Sequence, residues 1–237
     1  MRNPFSDLPD VVKYLLIINL LMFLVTMFMP NVSDYCALYS FRSPNFKPVQ
    51  LVTHMFVHGG FWHLFFNMLS LFMFGRVLES YWGPKRFFLY YFIAGIGGAL
   101  FYLGVKEIET QVLMASMDPD AVEHVLHNGA GILSQGKNYM DSSLGKLNAV
   151  INVPCVGASG AIYGLLLAFG MMFPNVDLYL YFAIPIKAKW MVIAFVVMEL
   201  LLGVLNANGD NVAHFAHLGG MLVGFVILMI WRKKGEV

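Results

Sequence analysis

The sequence predicts an all-α, polytopic membrane protein, one domain in which six helices cross the bilayer. Three observations predict it. Of 237 residues, 59% are hydrophobic and only 12% charged, whereas soluble domains carry about a quarter charged residues. Mean hydropathy is +0.68, and six segments come close to the roughly 20 apolar residues that a crossing helix needs. Polar residues and prolines fall between those segments, where the chain has to leave the hydrocarbon. This composition excludes a soluble enzyme and a disordered chain, and a net charge of +1 offers no basic footprint for nucleic acid.

The first span runs from about Val11 to Met29 and is closed by Pro30. Asp7 and Asp10 precede it and no small-residue cleavage site follows, so it is expected to be a retained span, not a secretory leader. The second runs from about Phe61 to Val77 and the third from about Phe87 to Val105. The fourth starts near Gly157 and stops at Phe173-Pro174; the fifth covers Trp190 to Asn206 and the sixth Val212 to Ile230. Between the first two spans, Asn31–Gly60 is a long loop ending in a histidine-rich run. Lys106–Val156 holds six acids against three lysines. That stretch, 106–156, is expected to be an extra-membrane insertion of small helices, one starting at Asp118-Pro119 with an amphipathic run to about Leu126.

Basic residues collect on the cytoplasmic side of short loops. With the N-terminus inside, ten of the fifteen lie on inner segments: Arg2, Lys13, Arg76, Lys85, Arg86, Lys187, Lys189, Arg232, Lys233 and Lys234. The other five, Arg42, Lys47, Lys106, Lys137 and Lys146, lie outside, three of them in the insertion. Both termini are therefore expected to be cytoplasmic.

Polar groups inside apolar spans are costly and are read first as functional. His63 and Asn67 share one face of the second span, four residues apart. Ser159 opens the fourth within Gly157-Ala158-Ser159-Gly160, with Tyr163 one turn on. His214 and His217 open the sixth. In the expected topology all three spans start at the outer face, so these groups sit at one depth, within about two turns of those starts. His217, Gly220 and Gly224 fall at i, i+3 and i+7, leaving a smooth groove beneath the histidine. Gly160 and Gly164 give the fourth span a matching edge, and small residues let helices approach closely. A serine hydroxyl needs a neighbouring base to become a nucleophile, and imidazole serves near neutral pH. The resulting oxyanion needs donors, which His63, Asn67 and the Ser159 amide could supply. No acid stands near His217 in sequence; Tyr163 could instead pack on its ring.

These residues resemble the rhomboid intramembrane serine proteases. Three blocks carry the resemblance: Thr53-His54-Met55-Phe56-Val57-His58 with His63 and Asn67; Gly157-Ala158-Ser159-Gly160 with Tyr163; and Ala216-His217-Leu218-Gly219-Gly220 with Gly224. Gly75, Glu79 and Gly83 are similar to a further motif of that family. The resemblance implies a six-helix core over about residues 10–232. It implies Ser159 as nucleophile, His217 as general base, His63 and Asn67 as oxyanion donors, Tyr163 packed on the base, and transmembrane proteins as substrates. The expected address is a bacterial inner membrane, with lipid as the surrounding partner and no cofactor or metal. In place of the tryptophan–arginine pair that many relatives carry in the first loop, only Phe41-Arg42 is near.

Other roles compete for several of these residues. A serine among small residues commonly serves helix packing. His214 reads as a lining residue, His54 and His58 as braces of the outer loop, and Glu199 as an interhelical hydrogen bond. Cys36 and Cys155 could be bridged or free. Five histidines near the outer face could ligate zinc, but no His-Glu-x-x-His occurs. A transporter would spread polar groups along a through-path, whereas here they cluster at one face. An inactive relative that only binds membrane proteins would have no need of both nucleophile and base.

Overall fold

The computed structural model describes residues 8–180, 184–205 and 213–235. The chain is an all-α membrane bundle. Helix α1 (Asp10–Phe28) is apolar on every side, as suits a lipid-facing helix, and buries only Val12, Leu15 and Asn19. Its N-cap is Pro9, which has no side chain able to cap. The cap comes from elsewhere: the Glu79 carboxylate accepts from the Val11 and Val12 amides at 2.9 and 2.8 Å. The first loop then folds through α2 (Pro30–Cys36), α3 (Gln50–Thr53) and a 3₁₀ turn (His54–Phe56).

The second span is α4 (Phe61–Ser70), a π-helical turn (Leu71–Gly75) and α5 (Arg76–Trp82), together 22 residues. It ends at Trp82, five residues beyond the expected Val77, followed by Gly83, whose φ of 79° only glycine adopts freely. Pro84 then opens α6 (Pro84–Ala115). This helix overturns the expected end at Val105. Its 32 residues span roughly 48 Å, more than about 30 Å of hydrocarbon needs, and its far end is the post on which the insertion sits. The charges after Val105 end the apolar stretch, but Lys106–Ala115 contains no glycine or proline and nothing there ends the helix.

On that post sit α7 (Pro119–Ser134) and α8 (Ser142–Asn152), packed through Val122, Val125, Leu147 and Ile151. Helix α7 starts at the expected Asp118-Pro119 and runs eight residues beyond Leu126. Asp118 caps it by accepting from the Asp120 amide at 2.8 Å, and Asp141 caps α8 through the amides of Ser143 and Leu144, both at 2.9 Å. Arg42 grips Glu107 in a bidentate pair, and Ser43 donates to Asn152 at 2.7 Å. Loop, post and insertion are thus tied together.

Helix α9 (Ser159–Met172) has 14 residues, about 21 Å of rise, so it is too short to cross hydrocarbon alone. Among the described residues, five other helices are long and apolar enough to do so. After α9 comes an antiparallel hairpin that the hydropathy pattern hides, β1 (Asp177–Leu180) and β2 (Ile184–Lys187), with Asp177 opposite Lys187. Helix α10 (Ala188–Leu205) follows, then α11 (His214–Lys233). The expected ends of the fifth and sixth spans at Asn206 and Val212 lie outside the described residues.

Helices α6, α9 and α11 form the centre, and glycines set their spacing. A Cβ on Gly220 would overlap the Gly160 carbonyl oxygen, one on Gly164 would stand 3.2 Å from Gly220 O, and one on Gly98 would stand 2.6 Å from Ala216 O. The α9–α11 seam is the one expected from Gly160, Gly164, Gly220 and Gly224. Gly98 supplies a third surface from α6.

Candidate active site

Ser159 is the first residue of α9 and His217 lies in the first turn of α11. The glycine seam brings these two helix starts together, and Ser159 Oγ lies 2.8 Å from His217 Nε2. The Tyr163 ring stacks on the His217 imidazole, with centroids 4.1 Å apart and planes 5° from parallel. The expected pair and its packing residue therefore meet.

Gly157 explains how His63 reaches the same place. With φ at 122°, Gly157 turns the chain into α9, and a Cβ there would stand 2.7 Å from His63 Nε2 and 3.6 Å from Ser159 Oγ. The missing side chain leaves the space that the His63 imidazole borders. The Gly157 amide donates to His54 O at 2.9 Å, fixing the turn against the first loop. By helix geometry the amides of Ser159 and Gly160 stand ahead of the first intrahelical bond, which Ile162 makes to Ala158 O. Asn67 is placed differently. It is buried, its Nδ2 donates to His63 O at 2.7 Å within its own helix, and its Oδ1 has no partner.

His54 Nδ1 donates to Gln50 O, 2.7 Å away, and the His58 ring meets His63 edge-on with centroids 5.1 Å apart. Burial holds the imidazole of His54 down at about 4. Burial, and then neighbouring His63, hold that of His58 down at about 3. Both are neutral near pH 7, and the bond to Gln50 O ties His54 to the loop. Cys36 and Cys155 are buried and free, and burial pushes the Cys155 thiol up to about 12.

Sequence spacing gave no hint of what faces the other edge of His217. Glu199, 2% exposed in mid-α10, accepts from Tyr163 Oη at 2.5 Å and lies 2.6 Å from His214 Nδ1. Its Oε2 is also 3.0 Å from His217 Nδ1, within pairing distance though not aligned as a full hydrogen bond. The interhelical role expected of Glu199 is present, and so is a contact with the dyad histidine. An acid in the middle of an apolar helix was the available signal, since it demands partners. Glu199, His214 and His217 also offer ligand atoms within 4.8 Å of one another, enough to consider a cation.

Residues 45–234 match the rhomboid domain family. The chain belongs to the rhomboid family. It is 28% identical to the mitochondrial RHOMBOID-like protein 12 of Arabidopsis thaliana, over 80% of this chain and 49% of that protein. It is 27% identical to the mitochondrial Rhomboid protein 1 of Saccharomyces cerevisiae, over 74% and 40%. A Bacillus subtilis protein, YdcA, named as a candidate rhomboid protease, is 27% identical over 79% and 69%. The chain thus spans about half the length of the first two relatives. Organellar and bacterial rhomboids stand among its relatives alike, and the apolar helices make it an integral membrane protein.

Proposed function

We propose that this rhomboid is an intramembrane serine endopeptidase working through Ser159 and His217. The 2.8 Å contact between Ser159 Oγ and His217 Nε2 carries the reading. His217 takes the serine proton as Oγ bonds to the scissile carbonyl carbon, and later returns a proton to the leaving amine. The Ser159 amide and His63 stand where the oxyanion develops. Asn67 joins them once its amide turns from His63 O. With α9 starting inside the bundle, the hydroxyl meets transmembrane or membrane-adjacent segments of substrate proteins.

Ser159→Ala and His217→Ala are each expected to abolish cleavage of a model transmembrane substrate without loss of expression, and Ser159→Ala to abolish labelling by a fluorophosphonate. Normal turnover by Ser159→Ala would overturn the reading. A second reading comes from the three convergent ligand atoms, a metal-dependent hydrolase. It requires inhibition by a chelator, reversed by zinc, with fluorophosphonate labelling absent from the wild type.

The ten-to-five distribution of basic residues supports cytoplasmic termini, and a bacterial inner membrane is the address we propose with it. A cysteine introduced on α7 is then expected to react with an impermeant maleimide from outside intact cells. Reaction only after lysis would reverse the orientation.

A further inference from the structure

Two hydrogen bonds and one close approach by an imidazole nitrogen, that of His217, converge on one buried carboxylate beside the dyad. Tyr163 Oη reaches Glu199 Oε1 from α9, while Nδ1 of His214 and Nδ1 of His217 both reach Oε2 from α11. A carboxylate offers about four lone pairs and no donor; a carboxamide has half the accepting capacity and two N–H groups of its own. The constellation therefore suits an ionised acid with a proton on Nδ1 of each histidine. For His217 that assignment has a chemical consequence. With Nδ1 protonated, Nε2 carries the lone pair, and Nε2 is the atom facing Ser159 Oγ.

Burying a carboxylate among lipid-facing helices is costly, and a neutral side chain could tie α10 to the bundle more cheaply. Among the described residues of α10 only Ala188, Val192 and Glu199 are buried, while Val197, Met198, Leu200 and Leu201 on either side are exposed. The one buried charge on this helix lies against the imidazole that has to become positive when Ser159 is deprotonated.

We propose that Glu199 is a positioning residue, holding His217 in the tautomer that accepts the Ser159 proton and stabilising the imidazolium that forms. This rests on the Ser159–His217 reading and makes of it a serine–histidine–glutamate relay inside a membrane bundle. The serine proton moves to Nε2 as Oγ bonds to the carbonyl carbon. The Nδ1 proton stays on His217 and points at Glu199, which remains ionised. Nε2 then gives its proton to the departing amine, and water repeats the sequence to release the acyl group. His214 and Tyr163 hold the carboxylate in place, and Tyr163 also holds the imidazole plane by stacking.

The test uses the full-length protein in detergent and in liposomes with a model transmembrane substrate. Glu199→Gln presents an amide to Nδ1 and favours the wrong tautomer; in soluble serine proteases the matching exchange costs about 10⁴ in kcat. Here a fall in kcat of about 10²–10⁴ is expected with KM little changed, and fluorophosphonate labelling should slow in parallel. Glu199→Asp restores the charge one methylene short and is expected to recover at least about tenfold over Glu199→Gln, since each tenfold is only about 1.4 kcal/mol. The ¹⁵N spectrum of His217 should show the Nδ1–H tautomer in the wild type and lose it in Glu199→Gln. A purely structural tie predicts the reverse pattern: a lower melting temperature, unchanged kcat per folded molecule, and Glu199→Asp no better than Glu199→Gln. That pattern would overturn the proposal while Ser159→Ala stays inactive. Turnover by Ser159→Ala would instead remove the serine reading on which it rests.

Discussion

Gly157 has a φ of 122° and sits against His63 and Ser159, so one methyl group there does two kinds of damage. Alanine strains the backbone at that angle and pushes its Cβ into the imidazole. Gly157→Ala is expected to lose most turnover, measured on a transmembrane substrate, while melting shifts much less. On the proposed reading, His63→Ala removes one donor from the oxyanion, and such a loss typically costs about 3 kcal/mol, or 100-fold or more in rate. Asn67→Ala should act in the same direction, and the double variant should fall short of the product, because both serve one charge. Asn67 is already hydrogen-bonded within α4, so its melting temperature has to be measured beside its rate. A melting loss with unchanged rate per folded molecule would leave it a structural role only. At this scale the sequence was informative wherever local spacing suffices, as for His63 with Asn67, Ser159 with Tyr163, and His217 with its glycines. Glu199 was legible as an anomaly but not as a neighbour of His217, because the two lie on different helices and meet only when α10 packs against α11.

Helix α11 approaches α9 and α6 closely only because Gly220 and Gly98 carry no side chains at the crossings. Gly220→Ala would press a methyl into the Gly160 carbonyl, and overpacking of this kind costs typically 1–3 kcal/mol. Ser159 and Gly160 are adjacent, so relief by separating the helices also lengthens the Ser159–His217 contact. Stability and turnover are expected to fall together, read by thermal melting and by cleavage rate. Gly104→Ala is the control: nothing lies within 4 Å of its Cβ, and alanine in a helix should be neutral or mildly stabilising. The α9–α11 seam could be read from the i, i+3, i+7 pattern, whereas Gly98 is one of several glycines in α6 and its partner is a backbone oxygen. Element ends were least legible. Charge after Val105 marks where hydrocarbon stops, yet a helix continues until capping or a breaker ends it, here near Ser116 ahead of Asp118-Pro119.

For the molecule as a whole, hydropathy and proline placement sufficed for the all-α bundle, because a bilayer admits few alternatives for an apolar chain. The short hairpin at Asp177–Lys187 escaped that reading, since a window long enough to find spans averages over a four-residue strand. The same architecture has a temporal side. Until Glu79 comes within reach, Pro9 offers α1 no side-chain cap and the Val11 and Val12 amides lack their carboxylate partner. When the second span arrives, Glu79 takes both amides, and Val12 closes onto Gly75 in the π-helical turn. Residues 8–82 are thereby a helical hairpin latched at one end, and all of it precedes α9, α10 and α11 in the chain. His63 and Asn67 belong to that hairpin, whereas Ser159 and His217 come later in the chain.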